Sequence, residues 1–201
     1  MLSAFLAGFL LGGSLILAIG AQNAFILRYG LLRQHVLPLT LFCAASDAAL
    51  ILAGVAGFGE SIKTASGILN AVKWGGAGFL LCYGVFAFRR ALKPARMEAS
   101  EGRGVSLSAA LLQCAAFTWA NPHVYLDTVV LIGGISTTFG QQRWGFGSGA
   151  VLASFVWFVG LGYGARLLTP IFAKPTAWRV LDTVIGCVMC ALAAKILMTP
   201  L

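Results

Sequence analysis

Six stretches of this chain, near residues 2–28, 36–59, 67–88, 105–136, 145–166 and 180–198, are apolar over a length comparable to a membrane-spanning helix. Charged residues make up only 10% of the 201, against about 25% in an ordinary soluble domain. That leaves too little polar surface to cover a globule in water. In hydrocarbon every backbone polar group must be satisfied internally, which restricts spanning structures to helices and closed barrels. The runs lack the period-two alternation of barrel strands. The expected fold is therefore an all-α membrane protein with six transmembrane helices.

Basic residues fall in alternate connections. Arg28 and Arg33 flank the first, Arg89, Arg90, Lys93, Arg96 and Arg103 the third, and Arg166, Lys174 and Arg179 the fifth. The second and fourth hold only Lys63 and Arg143, a ratio of ten to two. The positive-inside bias then puts connections one, three and five in the cytoplasm and both termini outside. A five-span count would move one terminus across. The net charge of +8 reads as topology and not as a nucleic-acid surface, because the bases form short clusters without interleaved aromatics. The opening run, residues 1–27, ends near small residues that mimic a cleavage site. It has no basic leader and exceeds the roughly 7–15 apolar residues of a signal peptide, so it is read as the first span.

The one sizeable linker, 93–104, separates residues 1–92 from 105–201. Each half holds three runs, so the second half enters the membrane with the opposite orientation, the arrangement of two inverted three-helix repeats. The first helix of each repeat is overlong and interrupted, by Gly20-Ala-Gln-Asn23 in one and Trp119-Ala-Asn-Pro-His123 in the other. As one straight helix, 105–136 would reach ~48 Å at about 1.5 Å per residue, against a core of about 30 Å. Pro122 removes a backbone donor there and breaks the helix. Corresponding interruptions in two halves point to a solute-binding site. Gly8-x-x-x-Gly12, Gly145-x-x-x-Gly149 and Gly160-x-x-x-Gly164 offer small faces for a tight bundle and for a homodimer.

Three of the six acidic residues, Glu60, Glu98 and Glu101, lie at or beyond helix ends. The others, Asp47, Asp127 and Asp182, fall within apolar runs. A charge at the centre of a membrane helix costs about 2.5–3.5 kcal/mol and is retained where it faces a cavity. Asp47, beside Ser46, is the strongest candidate and Asp127 the next. Asp182 has a structural alternative, an ion pair with Arg179 one turn away. These three aspartates and His123, which follows the second break, are the proton-coupling candidates. His35 adjoins the basic cluster and reads as a solvated loop residue, and Lys73 and Lys195 as snorkelling side chains.

Two distant histidines and no exposed cysteine cluster give no metal site, and no cofactor is expected. Cys187-x-x-Cys190 is the only thiol motif and a thin basis for redox chemistry. A phosphate loop of the form G-x-x-x-x-G-K-[ST] is missing, which excludes ATP-driven transport by this chain alone. Gly147-Ser148-Gly149 lacks the frame of a serine nucleophile turn. The chain does not read as an enzyme.

The stretches GAQNAFILRYGLLRQHVLPLTLFCAASDAALILAGVAGFG, VKWGGAGFLLCYG and TWANPHVYLDTVVLIGG together resemble the lysine exporter (LysE) family, in particular its lysine/arginine exporter branch. The resemblance continues more faintly through LDTVIGCVMCALAAKIL and covers nearly the whole chain. It implies export of L-lysine, L-arginine or both across a bacterial plasma (inner) membrane, driven by ion gradients. Homoserine and threonine exporters of the wider superfamily carry Pro-Gly-Pro at the first break, where this chain has Gly20-Ala21-Gln22. That departure favours basic substrates.

The residues suit such a substrate. Helix N-termini at a break can hold a carboxylate, and Asp47 and Asp127 can pair with the two cationic groups. Gln22, Asn23 and Asn121 add neutral hydrogen bonds, and Ser46, Pro122 and Tyr125 complete the expected substrate-binding set. The expected partners are thus a basic amino acid, a coupling ion and the lipid bilayer. Moving one positive charge outward costs about 2.3 kcal/mol per 100 mV of inside-negative potential, so the expected mode is proton- or potential-coupled antiport. Competing readings are an exporter of a neutral amino acid or a divalent cation, a membrane thiol oxidoreductase using Cys187 and Cys190, and a passive channel.

Overall fold

The computed structural model describes residues 1–17, 20–59, 66–92 and 105–198. The expected linker 93–104, with Glu98 and Glu101, lies outside them, as do Glu60 and Lys63. Among the described residues every regular element is helical. The main ones are α1 (Leu2–Leu17), α2 (Ala21–Leu32), α3 (Val36–Ala53), α4 (Ser66–Leu92), α5 (Leu107–Trp119), α6 (Pro122–Tyr125), α7 (Arg143–Gly164) and α8 (Pro175–Met198), with short helical turns on either side of α7. Helix α3 runs on through wide i→i+5 turns over Gly54–Phe58. Helix α6 does the same over Leu126–Ile132 and then regains α geometry over Gly133–Thr137.

Four helical stretches, Val36–Phe58, Asn70–Leu92, Gly140–Phe172 and Pro175–Met198, are each long and apolar enough to cross a membrane. Helices α1 and α2, whose axes meet at 79°, make a fifth when taken as one bent span. Helix α5 has 13 residues, about 20 Å at roughly 1.5 Å per residue, and falls short of a bilayer core by itself. Large apolar side chains such as Leu10, Trp74, Phe86 and Leu112 stand on the outside. A helix bundle solvated by hydrocarbon presents that kind of surface.

Both sequence-predicted breaks are present. Gly20 is extended (φ −108°, ψ 173°) ahead of α2. Asn121 is extended ahead of α6, with Pro122 at the first helical position, where its missing N–H is no loss.

Both members of the bent pair touch one straight partner, α7, at successive levels. Met1 approaches Gly145, Gly8 meets Phe146, Gly12 meets Ala150, and Gly30 meets Gly162 and Ala165. Helix α1 therefore runs parallel to the first part of α7, and α2, turned by 79°, crosses α7 near Gly162 and Ala165. Helix α3 runs antiparallel to α7, with Val36 and Thr40 against Gly162 and Val55 against Gly147. Helices α5 and α6 follow the direction of α3, as Cys114 faces Cys43 with the sulfurs 3.0 Å apart and Val129 and Gly133 meet Gly54. Helices α4 and α8 form an antiparallel pair, Gly84 against Gly186 and Cys190, and Gly186 against the Phe88 ring. Phe25, Leu39, Phe117, Phe158 and Met189 fill the space between these layers and are fully buried.

Small residues set the closest approaches. A Cβ at Gly149 would run into the Phe5 carbonyl, and one at Gly8 into the Phe146 carbonyl. Gly54 and Gly133 meet backbone to backbone. Two of the three expected small faces thus contribute to packing. The third does not, since Gly160 and Gly164 have open space around them among the described residues. Gly149→Ala is expected to lower stability by about 1–3 kcal/mol through overpacking, whereas Gly160→Ala leaves it unchanged or slightly higher. Denaturant unfolding in detergent measures both. A variant retaining only Cys43 and Cys114 is expected to form an intramolecular disulfide under mild oxidation, read by mass spectrometry.

Candidate functional site

The first break is closed by side chains. Asn23 donates from Nδ2 to the Ile16 carbonyl (2.7 Å), one of the carbonyls that the end of α1 leaves open. Its Oδ1 accepts from the Trp157 indole N–H of α7 (3.1 Å). Asn23 therefore ties both sides of the break to α7. Gln22, one residue earlier, is placed differently: it points toward α3.

There Asp47 is buried, with 4% of its surface exposed. The Ser154 hydroxyl of α7 donates to Asp47 Oδ2 at 3.4 Å, a long bond. The Gln22 amide lies beside the same carboxylate. Its Nε2 is buried and has no hydrogen-bond partner among the described residues. Ser46 is buried next to Asp47, and Cys43 and Cys114 sit one turn away. A carboxylate with one long hydrogen bond and an amide donor with no well-formed one thus lie side by side at the level of the first break. A buried charge so sparsely partnered is costly unless something else binds it. An anion next to a free donor is complementary to a ligand carrying both an ammonium and a carboxylate.

The second break is closed in a similar manner. Asn121 Oδ1 accepts from the His123 backbone N–H (3.1 Å), capping α6. The Tyr125 hydroxyl donates to the Trp119 carbonyl at the end of α5 (2.7 Å). Gly76 of α4 lies directly on the Ala120 carbonyl, and Pro122 is buried beneath it. Asp127 follows on an exposed face, with His123 and Lys195 as its electrostatic neighbours. His123 Nε2 is buried without a hydrogen-bond partner among the described residues.

Asp182 belongs to neither break. It accepts from Arg28 Nη1 of α2 and from Arg90 Nε of α4, the latter at 3.1 Å. The Asp182 side chain is 5% exposed and that of Arg28 15%. Arg28 also lies over the Trp178 ring and Arg90 over Tyr83, at 5.6 and 5.3 Å. The pairing of Asp182 with Arg179 that the local sequence suggests is not formed. Arg179 is exposed, and the carboxylate is taken by two arginines from other helices.

The acidic candidates therefore sit in three polar settings: Asp47 with Ser154 and Gln22, Asp127 with His123 and Lys195, and Asp182 with Arg28 and Arg90. Sequence reasoning missed Ser154, whose only signal was a hydroxyl in mid-span, and the Arg28–Asp182–Arg90 network, for which it had none. It also gave no hint that the close thiol pair is Cys43 with Cys114. Cys187 and Cys190 lie three apart on α8, the first exposed and the second partly so.

Compared with known proteins, residues 13–199 match the model of the LysE type translocator family. A protein of Mycobacterium tuberculosis named as a candidate amino-acid transporter is 44% identical over 92% of each chain. The arginine exporter protein ArgO of Escherichia coli K12 is 38% identical, over 98% of this chain and 94% of its own. The lysine exporter LysE of Corynebacterium diphtheriae is 34% identical, over 96% of this chain and 98% of its own. No solved structure matches the chain.

Removing the shared carboxylate should show how much the three-residue network holds. Asp182→Asn leaves two guanidinium groups uncompensated and is expected to cost about 3–5 kcal/mol. Arg28→Gln is milder, because Arg90 still neutralises Asp182. Denaturant unfolding in detergent, followed by circular dichroism, ranks the two.

Proposed function

Because the chain belongs to the LysE type translocator family, we propose that it is a secondary transporter that exports basic L-amino acids, arginine and/or lysine, from the cytoplasm by proton- or potential-coupled antiport. The observation that carries this reading is the pairing of Asp47 with Gln22: a buried carboxylate beside a buried amide donor that makes no well-formed hydrogen bond among the described residues. Asp47 is assigned the α-ammonium, and Gln22 the carboxylate of the same substrate. Ser154 and Ser46 trim the site with hydroxyls. The relatives named for arginine and lysine export favour a cationic side chain, which Asp127 is assigned to receive on the path out.

We take the span count as six: the bent pair α1–α2, then α3, α4, the broken α5–α6, α7 and α8. Contact of α1 and then α2 with successive levels of α7, and parallel packing of α5–α6 along α3, supports counting each broken pair as one crossing. The halves 1–92 and 105–201 then form an inverted repeat in a bacterial inner membrane, with both termini outside. Arg28, Arg33, Arg89 and Arg90 mark the cytoplasmic end.

Coupling follows from what one carboxylate can bind. Asp47 holds either a proton or an ammonium, so entry of a proton displaces a cationic substrate and the converse. Exchange of one proton for one monovalent cation moves no net charge. It removes the penalty of about 2.3 kcal/mol per 100 mV that uncoupled export would meet. Asp182 is left out of this step because two arginines already hold it.

Counterflow in proteoliposomes tests the proposal, with unlabelled arginine inside and labelled arginine outside at trace level. Transient accumulation is expected, blocked by lysine and unaffected by threonine or cadmium. Asp47→Asn is expected to lower exchange by about 10-fold or more, the loss of one charge-assisted hydrogen bond. Block by threonine, or no accumulation from a verified folded preparation, would overturn the basic-substrate reading. Full exchange with an unchanged pH dependence in Asp47→Asn would overturn the coupling step.

A further inference from the structure

A cavity of about 580 Å³ lies between α4 and α5, away from Asp47, and nothing in the export scheme uses it. Its α4 wall is Phe79, Cys82, Tyr83 and Phe86, ending at Arg89 and Arg90; Gln113 lines it from α5. The wall is amphipathic along its length. At one end stand two guanidinium groups, and the rest is aromatic and thiol surface.

Arg90 is only partly engaged. Its Nε bonds Asp182 at 3.1 Å, but its Nη2 is buried and has no hydrogen-bond partner among the described residues. A buried guanidinium N–H without an acceptor is rare and calls for an anion in the space beside it. Cys82 and Phe86, by contrast, are exposed on a helix long and apolar enough to cross a membrane. What they face at that depth is hydrocarbon. From Arg90 back to Phe79 is eleven residues, about 16 Å along a helix at 1.5 Å per residue, close to half of a bilayer core of about 30 Å.

We propose that this cavity is a binding site for an anionic phospholipid, with its phosphate on Arg89 and Arg90 and one acyl chain along Phe79, Cys82 and Phe86. The charge excludes the basic amino acid itself, which two arginines repel. It also disfavours a second copy of this chain docked face to face, since that would bring four guanidinium groups together. A phosphate ester at the rim with an alkyl tail directed inward satisfies both ends of the cavity. Basic pockets between membrane helices hold lipid headgroups for this reason.

The test uses the full chain reconstituted in phosphatidylcholine bilayers, with spin-labelled phosphatidylglycerol and spin-labelled phosphatidylcholine as probes. Their relative association constants are measured by electron spin resonance. Wild-type protein is expected to prefer phosphatidylglycerol. Arg89→Gln should lower that preference about five-fold, the factor for one basic residue at an anionic surface. Cys82→Trp, which fills the cavity and keeps all charges, should lower it similarly. Neither touches Asp182, so the ion-pair network remains to hold the fold. Loss in Arg89→Gln alone would mean surface attraction without a seat and overturn the site. Loss in Cys82→Trp alone would overturn Arg89 as a headgroup ligand. Preference retained in both overturns the proposal altogether. Excess inorganic phosphate is expected not to displace the lipid; if it does so fully, the ligand is a free anion and the lipid assignment fails.

Discussion

A broken helix inside a bilayer exposes carbonyls and N–H groups that hydrocarbon cannot solvate, and this fold is arranged around closing two such breaks. The solution is similar at both. A side chain seven residues past an open carbonyl returns to it at the first break (Asn23 to Ile16), and one six residues past at the second (Tyr125 to Trp119). At the first, Asn23 is anchored in turn by the Trp157 indole, which brings α7 into the arrangement. At the second, Asn121 caps α6 and Gly76 lets α4 settle on the exposed Ala120 carbonyl. Amides and hydroxyls that sequence reasoning assigns to a solute thus have backbone partners already. Gln22 differs: its amide is directed at the Asp47 carboxylate and not at backbone, and its buried Nε2 makes no well-formed hydrogen bond among the described residues.

Two buried aspartates show how differently one fold treats the same group. Asp182 has two guanidinium partners from two other helices, so its charge is compensated. Removing one partner would still leave the other. Among the described residues Asp47 has one long hydrogen bond from Ser154 and the Gln22 amide beside it. Desolvating a carboxylate on those terms is unfavourable by several kcal/mol, and the native packing supplies no counter-charge beside it. The first arrangement stabilises a particular set of helix positions. The second keeps a binding capacity open at a stability cost, which is the usual signature of a group retained for what it binds.

The features legible in the sequence were those that lipid imposes locally. Four span lengths, the two interruptions and the anomaly of Asp47 follow from counting apolar residues and noticing what a bilayer does not tolerate. Asn121-Pro122 could be placed to the residue because proline dictates where a helix can start. Contacts that depend on tertiary arrangement were not legible. Arg179 is the nearest base to Asp182 along the chain, yet the partners are Arg28 and Arg90, 154 and 92 residues distant. Glycine spacing was likewise only half informative. Gly149 and Gly160 sit in similar motifs on one helix, but among the described residues only Gly149 faces a neighbour, and spacing says nothing about which face is turned inward. Gln22 and Asn23 looked equivalent as adjacent amides, and a rotation of about 100° per helical residue sends one to Asp47 and the other back to Ile16.

Two kinds of glue hold the bundle, and they differ in how readily they can be undone. Helix α1 meets α7, and α3 meets the run after α6, through glycines with backbones so close that a single methyl group would collide, while glycines of α7 receive side chains of α3. Such contacts are short-ranged and steric, and sliding or separating them loses packing without any replacement from lipid. Helices α4 and α8 pack on each other, and α8 is joined to α2 chiefly where Arg28 meets Asp182 and Trp178. An ion pair at the end of a bundle can trade one partner for water or for an anion as the end opens. Any rearrangement that gives Asp47 access to the basic end therefore meets less resistance at the Arg28–Asp182–Arg90 junction than within the glycine-packed layer. Asp47 and Ser154 both belong to that layer, so the binding group stays with the rigid part while the charged junction is the part able to give way.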